Sequence, residues 1–278
     1  MFKSKIIAST MAIIMSASVL GYVGSYSAAA KAKTIKAGTD IAAKLEAGGV
    51  ILAGKYKLNR GVKITKPVSA YGVVIDASGC PSNTIAIKAS ANISGITINN
   101  PQRQGISVQN CSGVEVKDCE VTGAQFAGIE AKDNVSNITF NHCESDYNLD
   151  TAGGGEDADG FGIKNGAKNI TLKNCRAIGN SDDGYDTYTA GANITFINCL
   201  AQDNGRGANG DGNGFKLGPC LYNGQDGGLI TVRNCKAINN KGVGFLRNHN
   251  KVTPIQSGNV ATGNKGGDFS WNYTPRNK

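Results

Sequence analysis

The chain of 278 residues contains 38 glycines but only 6 prolines and 1 tryptophan, and its formal net charge is +8. That length supports one sizeable domain with its own core. So much glycine with so few aromatics argues against a helical bundle and for short strands joined by tight turns. The basic residues form no run and do not alternate with aromatics, so nucleic acid is not an expected partner, whereas an acidic polymer suits the charge.

Residues 1–30 read as a secretory signal. Lys3 and Lys5 charge the start, Ile6 to Val23 is mostly apolar, and small residues follow, with Ala28-x-Ala30 and Ala30-x-Ala32 both fitting cleavage. Residues 31–278 are expected to form a single domain, secreted, extracellular and monomeric, with no membrane contact once the signal is removed. No later stretch is apolar enough to span a bilayer. Thr39 to Gly48 predicts a short amphipathic helix, with a Thr/Asp start and a Gly stop, placed to cap the open N-terminal end of a coiled stack of strands. Lys55 to Asp76 reads as the first coils.

From there an internal repeat dominates. Asn137-Ile-Thr-Phe-Asn-His-Cys143, Asn169-Ile-Thr-Leu-Lys-Asn-Cys175, Asn193-Ile-Thr-Phe-Ile-Asn-Cys199 and Leu229-Ile-Thr-Val-Arg-Asn-Cys235 are copies of one unit. Five residues after each cysteine stands an asparagine, at Asn148, Asn180, Asn204 and Asn240, and Asn264 continues the column. A glycine and an apolar or aromatic residue then recur from Gly105-Ile106 to Gly244-Phe245, at steps of 23, 32, 24, 30 and 30 residues. Short alternating strands at such a period, with no helix between them, predict an all-β solenoid, the parallel β-helix. Stacked asparagines at a bend can bond to backbone and to one another. The glycine-rich insertions Asp150–Asp157 and Gly205–Gly212 are expected to wall a cleft.

Eight cysteines in an exported chain suggest disulfides, but Cys119, Cys143, Cys175, Cys199 and Cys235 share one repeat position. Such neighbours lie about 4.8 Å apart, so a ladder of small buried thiols is at least as good a reading as bridges. Cys80, Cys111 and Cys220 lie off this column.

Superimposing the Gly-aromatic pairs of Asp159-Gly-Phe, Asp182-Asp-Gly-Tyr-Asp186 and Gly214-Phe-Lys216 gathers five side chains. Asp159 and Asp183 share one column, Asp186 and Lys216 another, and Asp182 lies alongside. Four carboxylates on adjacent rungs repel one another unless a cation sits among them, and hard oxygen ligands suit a calcium ion (Ca2+). Asp76, Asp118, Asp133 and Asp203 read as turn or surface residues. Neighbouring coils place Gly162 and Leu246 where Lys216 stands, so the repeat does not impose a lysine. Its alternatives are a salt bridge to Asp186 or a general base, the latter requiring a lowered pKa or high pH. A calcium ion and a lysine base together suit abstraction of the C5 proton of a uronic acid, with the O4-linked sugar leaving by β-elimination.

The block Asp159-Gly-Phe, Asp182-Asp-Gly-Tyr-Asp186 and Gly212-Asn-Gly-Phe-Lys-Leu-Gly218 resembles the family 9 polysaccharide lyases. The resemblance implies a right-handed parallel β-helix and a pectate lyase acting on polygalacturonate (pectate), an acidic polysaccharide. It further implies calcium held by Asp159, Asp182, Asp183 and Asp186, with Lys216 as base. The chain departs from the family pattern at Tyr185, where tryptophan is expected, and is short for the family.

Lys132, Lys164 and Tyr188 stand four residues after their glycines, on the face of Asp186, and Arg206 and Arg247 are further candidates for contact with substrate carboxylates. Gly-His-Gly and Arg-Ile-Lys signatures of β-helix hydrolases are absent, and His142 and His249 read as structural. A lyase or epimerase on another uronan stays open, as does a non-catalytic calcium-dependent polysaccharide binder, which gives Lys216 no purpose.

Overall fold

The computed structural model describes residues 40–219, 221–222, 225–226 and 228–275. The expected signal at 1–30 lies outside these residues, as does Cys220. Ile41–Ala47 forms the expected helix: Asp40 Oδ1 accepts a hydrogen bond from Ala43 N–H, and Gly48 ends it at φ 78°. Asp40 thereby satisfies one of the N–H groups that a helix start leaves free. Ile41, Ala42 and Leu45 are buried in the same core as the first strands.

Apart from a short antiparallel pair, Leu221–Tyr222 with Gln225–Asp226, the strands form a parallel β-helix, with three short strands per coil from Ile106 onward. One coil runs Phe161–Ile163, Lys168–Lys173, Arg176–Ile178, and the next Tyr185–Asp186, Ile194–Ile197, Leu200–Gln202. The first strand of each coil joins a nine-stranded sheet, called here the site sheet. The second and third strands form two ladders that both pair with Ile93–Asn99. Within Lys168–Lys173, Ile170 and Leu172 turn into the core while Thr171 and Lys173 stay partly exposed, the period-2 alternation predicted.

Each coil is held to the next by side chains repeating at one position. Phe161, Tyr185, Phe215, Phe245 and Phe269 stack face to face, with ring centroids 5.1, 4.6, 4.7 and 5.4 Å apart. Tyr185, the departure from the family pattern, fills its place in this stack and donates its hydroxyl to Leu200 O at 3.2 Å. Asn148, Asn180, Asn204, Asn240 and Asn264 form a continuous ladder, each Nδ2 donating to the next Oδ1 at 2.8 to 2.9 Å. The Asn180 Oδ1 also accepts from Asn148 N–H, and its Nδ2 also donates to Ser145 O, so a buried amide is left with no unmet polar group. The column cysteines are buried free thiols, as are Cys80 and, half-buried, Cys111. They donate to backbone carbonyls, for example Cys143 Sγ to Val116 O at 3.3 Å.

The two inserted loops meet each other. Asn209 donates from its backbone to Gly154 O and from its side chain to Gly153 O. A Cβ on Gly155 would stand 2.5 Å from Gly207 Cα, which accounts for glycine on both sides of the contact. Lys241 fastens the second loop from below, its Nζ donating to the carbonyls of Gly207, Ala208 and Gly210.

Candidate active site

Strand register on the site sheet does what the superimposed repeats predicted. Phe161 pairs with Tyr185 and Tyr185 with Phe215, which places Asp159 over Asp183. Gly162, Asp186 and Lys216 form one column, continued by Leu246. Among the described residues, Asp159, Asp183 and Asp186 each bring a carboxylate oxygen within 4.8 Å of the others, and all three are buried.

The remaining contacts decide what this cluster can hold. Asp183 Oδ1 accepts from the backbone N–H of Asn213 at 2.6 Å and from its Nδ2 at 2.9 Å. Asp186 Oδ1 accepts from Tyr188 N–H at 2.9 Å. Asp159 Oδ1 has no hydrogen-bond partner, and Asp183 Oδ2 has only an ion-pair contact, 3.1 Å from Lys216 Nζ. An orphaned, buried carboxylate oxygen is costly unless a cation meets it, so the donor set fits a hard, oxygen-seeking ion such as calcium.

Asp182 is close in sequence but not part of the convergence. Its Oδ1 accepts from Asp211 N–H at 2.6 Å and so ties the second loop to the site. Asp182 is itself buried and lies near enough to Asp183 and Asp159 for their charges to raise its carboxyl, so it borders the three converging acids. Lys164 lies closer to the acids than its column suggested. Its Nζ donates to Asp159 Oδ2 at 2.9 Å and stands 3.1 Å from Asp186 Oδ2. Lys216 does not pair with Asp186; its ammonium lies 3.1 Å from Asp183 Oδ2 and 2.7 Å from Asp211 Oδ2. Asp211 was not singled out from sequence, because it sits in an insertion outside the repeat, and only its spacing of five residues from Lys216 could have pointed to it.

The other candidates are scattered. Lys132 pairs with Glu130 at 3.0 Å, one coil before Lys164. Tyr188 is partly exposed beside Asp186. Arg206 packs its guanidinium 5.4 Å from the Tyr147 ring and donates to Gly179 O. Arg247 is buried, donating to the carbonyls of Asn250, Trp271 and Lys251, and so clamps the C-terminal segment. His142 and His249 bond to Asn141 Oδ1 and Thr274 O respectively, as structural histidines do.

The electrostatics follow from too many acids in too little water. Burial pushes the Asp159 carboxyl up to about 7 although Lys164 pulls it down, and Asp186 and Asp183 add to the rise. Burial raises Asp183 to about 6 against the pull of Lys216, and burial with Asp183 and Asp159 nearby takes Asp182 to about 10. For Lys216 burial favours the neutral amine, but Asp183, Asp186 and the Asp211 hydrogen bond outweigh it and hold the ammonium above the usual lysine range. Lys164 is held protonated in the same way by Asp159 and Asp186. Lys164 and Lys216 are shared among Asp159, Asp183, Asp186 and Asp211, two ammonium groups against four carboxylates, so the cluster retains a demand for positive charge.

The fold and this centre define a parallel β-helix with an acidic, cation-seeking site on one sheet. The model of the Pel9A-like right-handed β-helix region matches residues 22–277, and the chain belongs to that family, as the motif resemblance implied. It is 34% identical over 188 residues to pectate lyase L of Paenibacillus polymyxa (strain SC2), covering 60% of this chain and 40% of that protein. Pectate lyase PEL9 of Emericella nidulans is 26% identical over 279 residues, covering 78% and 65%. In fold the chain is similar to the crystal structure of pectate lyase Pel9A, with TM-score 0.65 and 23% identity over 74% of this chain and 58% of that one. It is also similar to a rhamnogalacturonan lyase, with TM-score 0.60 and 21% identity, covering 77% and 62%. The chain spans only 40% of the Paenibacillus polymyxa protein and 33% of pectate lyase L from Dickeya chrysanthemi.

Proposed function

We propose that this chain is a secreted, calcium-dependent pectate lyase that cleaves polygalacturonate by β-elimination and leaves a 4,5-unsaturated uronate at the new non-reducing end. The observation that carries the reading is the convergence of three buried carboxylates with a lysine ammonium one rung further along the same sheet. Membership of a family whose relatives are named pectate lyases supports the choice of substrate.

Asp159, Asp183 and Asp186 would hold the calcium, with Asp182 steadying the loop that carries Asp211. A calcium ion there supplies charge neutralisation of the uronate carboxylate, which makes the adjacent C5 proton easier to remove. Lys216 is the base for that proton. It can act only after losing its own, and Asp183 and Asp211 oppose the loss. Compensating the charge of Asp183 weakens that opposition, so demand for the cation and readiness of the base are linked through one carboxylate. Transfer of the C5 proton to the Lys216 amine and departure of the O4-linked sugar give the C4–C5 double bond without water.

The test is incubation with polygalacturonate, with calcium or with chelator, followed by ultraviolet absorbance and reducing-end assays. The reading expects a conjugated chromophore that requires calcium. New reducing ends without the chromophore would mean hydrolysis and would end it.

A further inference from the structure

The outward column that holds Asp186 and Lys216 continues towards the N-terminus through Gly162, Glu130, Ser107 and Ala86 to Lys63. At that end the site sheet borders an open surface cavity of about 450 Å³. Lys63, Lys88 and Arg103 line it, with Ser82, Asn83 and Gln109 as hydrogen-bonding groups. Among the described residues none of these three cations forms an ion pair, whereas Lys132, Lys164 and Lys216 on later coils all do. Glu46, the acid at the rim, is taken by Arg60 at 2.6 Å. Arg103 is oriented by stacking its guanidinium 4.3 Å from the Phe126 ring centroid, which leaves its donors for a carboxylate.

We infer that this cavity is a second, remote subsite for the carboxylates of a linear polyuronate whose scissile bond lies at Asp186 and Lys216. The inference rests on the substrate proposed above. Four rungs separate Ala86 from Asp186, about 19 Å at the usual strand spacing. One rung is comparable to one sugar of an extended chain, so a short oligomer at the acidic centre falls short of the cavity and a longer one reaches it. Between the two, the column presents Ser107, Glu130 and Gly162, and the Glu130 carboxylate is met by the Lys132 ammonium at 3.0 Å, so the path carries no unpaired acid against a polyuronate.

The experiment uses the inactive Lys216→Ala protein with calcium, so that nothing is cleaved. Binding of galacturonate trimer and octamer is measured by calorimetry with and without Lys63→Gln, Lys88→Gln and Arg103→Gln combined. Octamer affinity is expected to fall about tenfold or more, and trimer affinity to change by less than about twofold, because only the longer ligand loses charge-assisted contacts. Circular dichroism and the melting temperature should not move, since all three side chains are exposed. Equal octamer affinity with and without the three substitutions, or equal losses for both ligands, overturns the subsite and leaves the lyase reading standing. If the octamer fails to bind even with the three cations intact, the substrate reading and the subsite fall together.

Discussion

Replacing Lys164 with methionine isolates the internal cation of the acidic cluster. Its Nζ lies 2.9 Å from Asp159 and 3.1 Å from Asp186, with side-chain exposures of 24%, 0% and 5%. At about 3 Å and an effective dielectric of about 20, each contact is worth roughly 5 kcal/mol before desolvation. Most of that is offset by taking the ammonium out of water. What truncation exposes is the burden of two buried, unpaired carboxylates, about 3 to 5 kcal/mol. Lys164→Met should therefore lose about that much stability at pH 8 in chelator, read from urea midpoints at constant slope. Calcium should restore most of it, and calorimetry should find the variant binding calcium at least about tenfold more tightly than the parent, because a competing positive charge has gone. An unchanged midpoint in chelator, or weaker calcium binding, would refute the assignment of Lys164 as resident counter-ion.

Other expected outcomes come from the same contacts. Lys216→Ala should abolish formation of the chromophore while calorimetry still finds one calcium site, and an active alanine variant would remove Lys216 from the chemistry. Asn204→Ala breaks the buried amide ladder at its centre and should lower stability by about 2 to 4 kcal/mol in denaturant titration, through donors and acceptors left unmet on Asn180 and Asn240. Without divalent cation, stability should fall as pH rises. Asp146 and Asp159 are raised to about 7 by burial first, so the native state keeps protons that the unfolded chain releases from about pH 4. That contribution is full below about pH 4 and lost by about pH 7. Calcium should flatten the profile through Asp159 but not through Asp146, which a scan of melting temperature against pH with and without calcium would show.

What was legible in the sequence was everything tied to the repeat. Asn148 to Asn264, Cys119 to Cys235 and the Gly-aromatic steps fix which residues stack, because in a solenoid the register of one coil sets that of the next. Asp159 over Asp183 and Asp186 beside Lys216 followed from that register alone. Asp182 was grouped with them by proximity; it borders the cluster, and the hydrogen bond it accepts from Asp211 N–H comes from an insertion that the repeat does not record. Lys164 was placed on the right face, but a four-carbon side chain can fold back by several ångströms, and its pairing with Asp159 and Asp186 is a property of charge balance that no periodicity records. Asp211 comes from an insertion, and Lys63, Lys88 and Arg103 meet from different coils without a shared motif, so neither the second partner of Lys216 nor the N-terminal cavity had a signature in the chain.

Anomalous diffraction from crystals grown with calcium tests the centre of the account most directly. It should show one strong peak within coordinating distance of the Asp159, Asp183 and Asp186 carboxylates, with the Lys164 ammonium displaced from at least one of them. A peak elsewhere on the helix, or none with those carboxylates still closed on Lys164, would contradict the claim that stacked coils assemble a divalent-cation site beside the Lys216 amine.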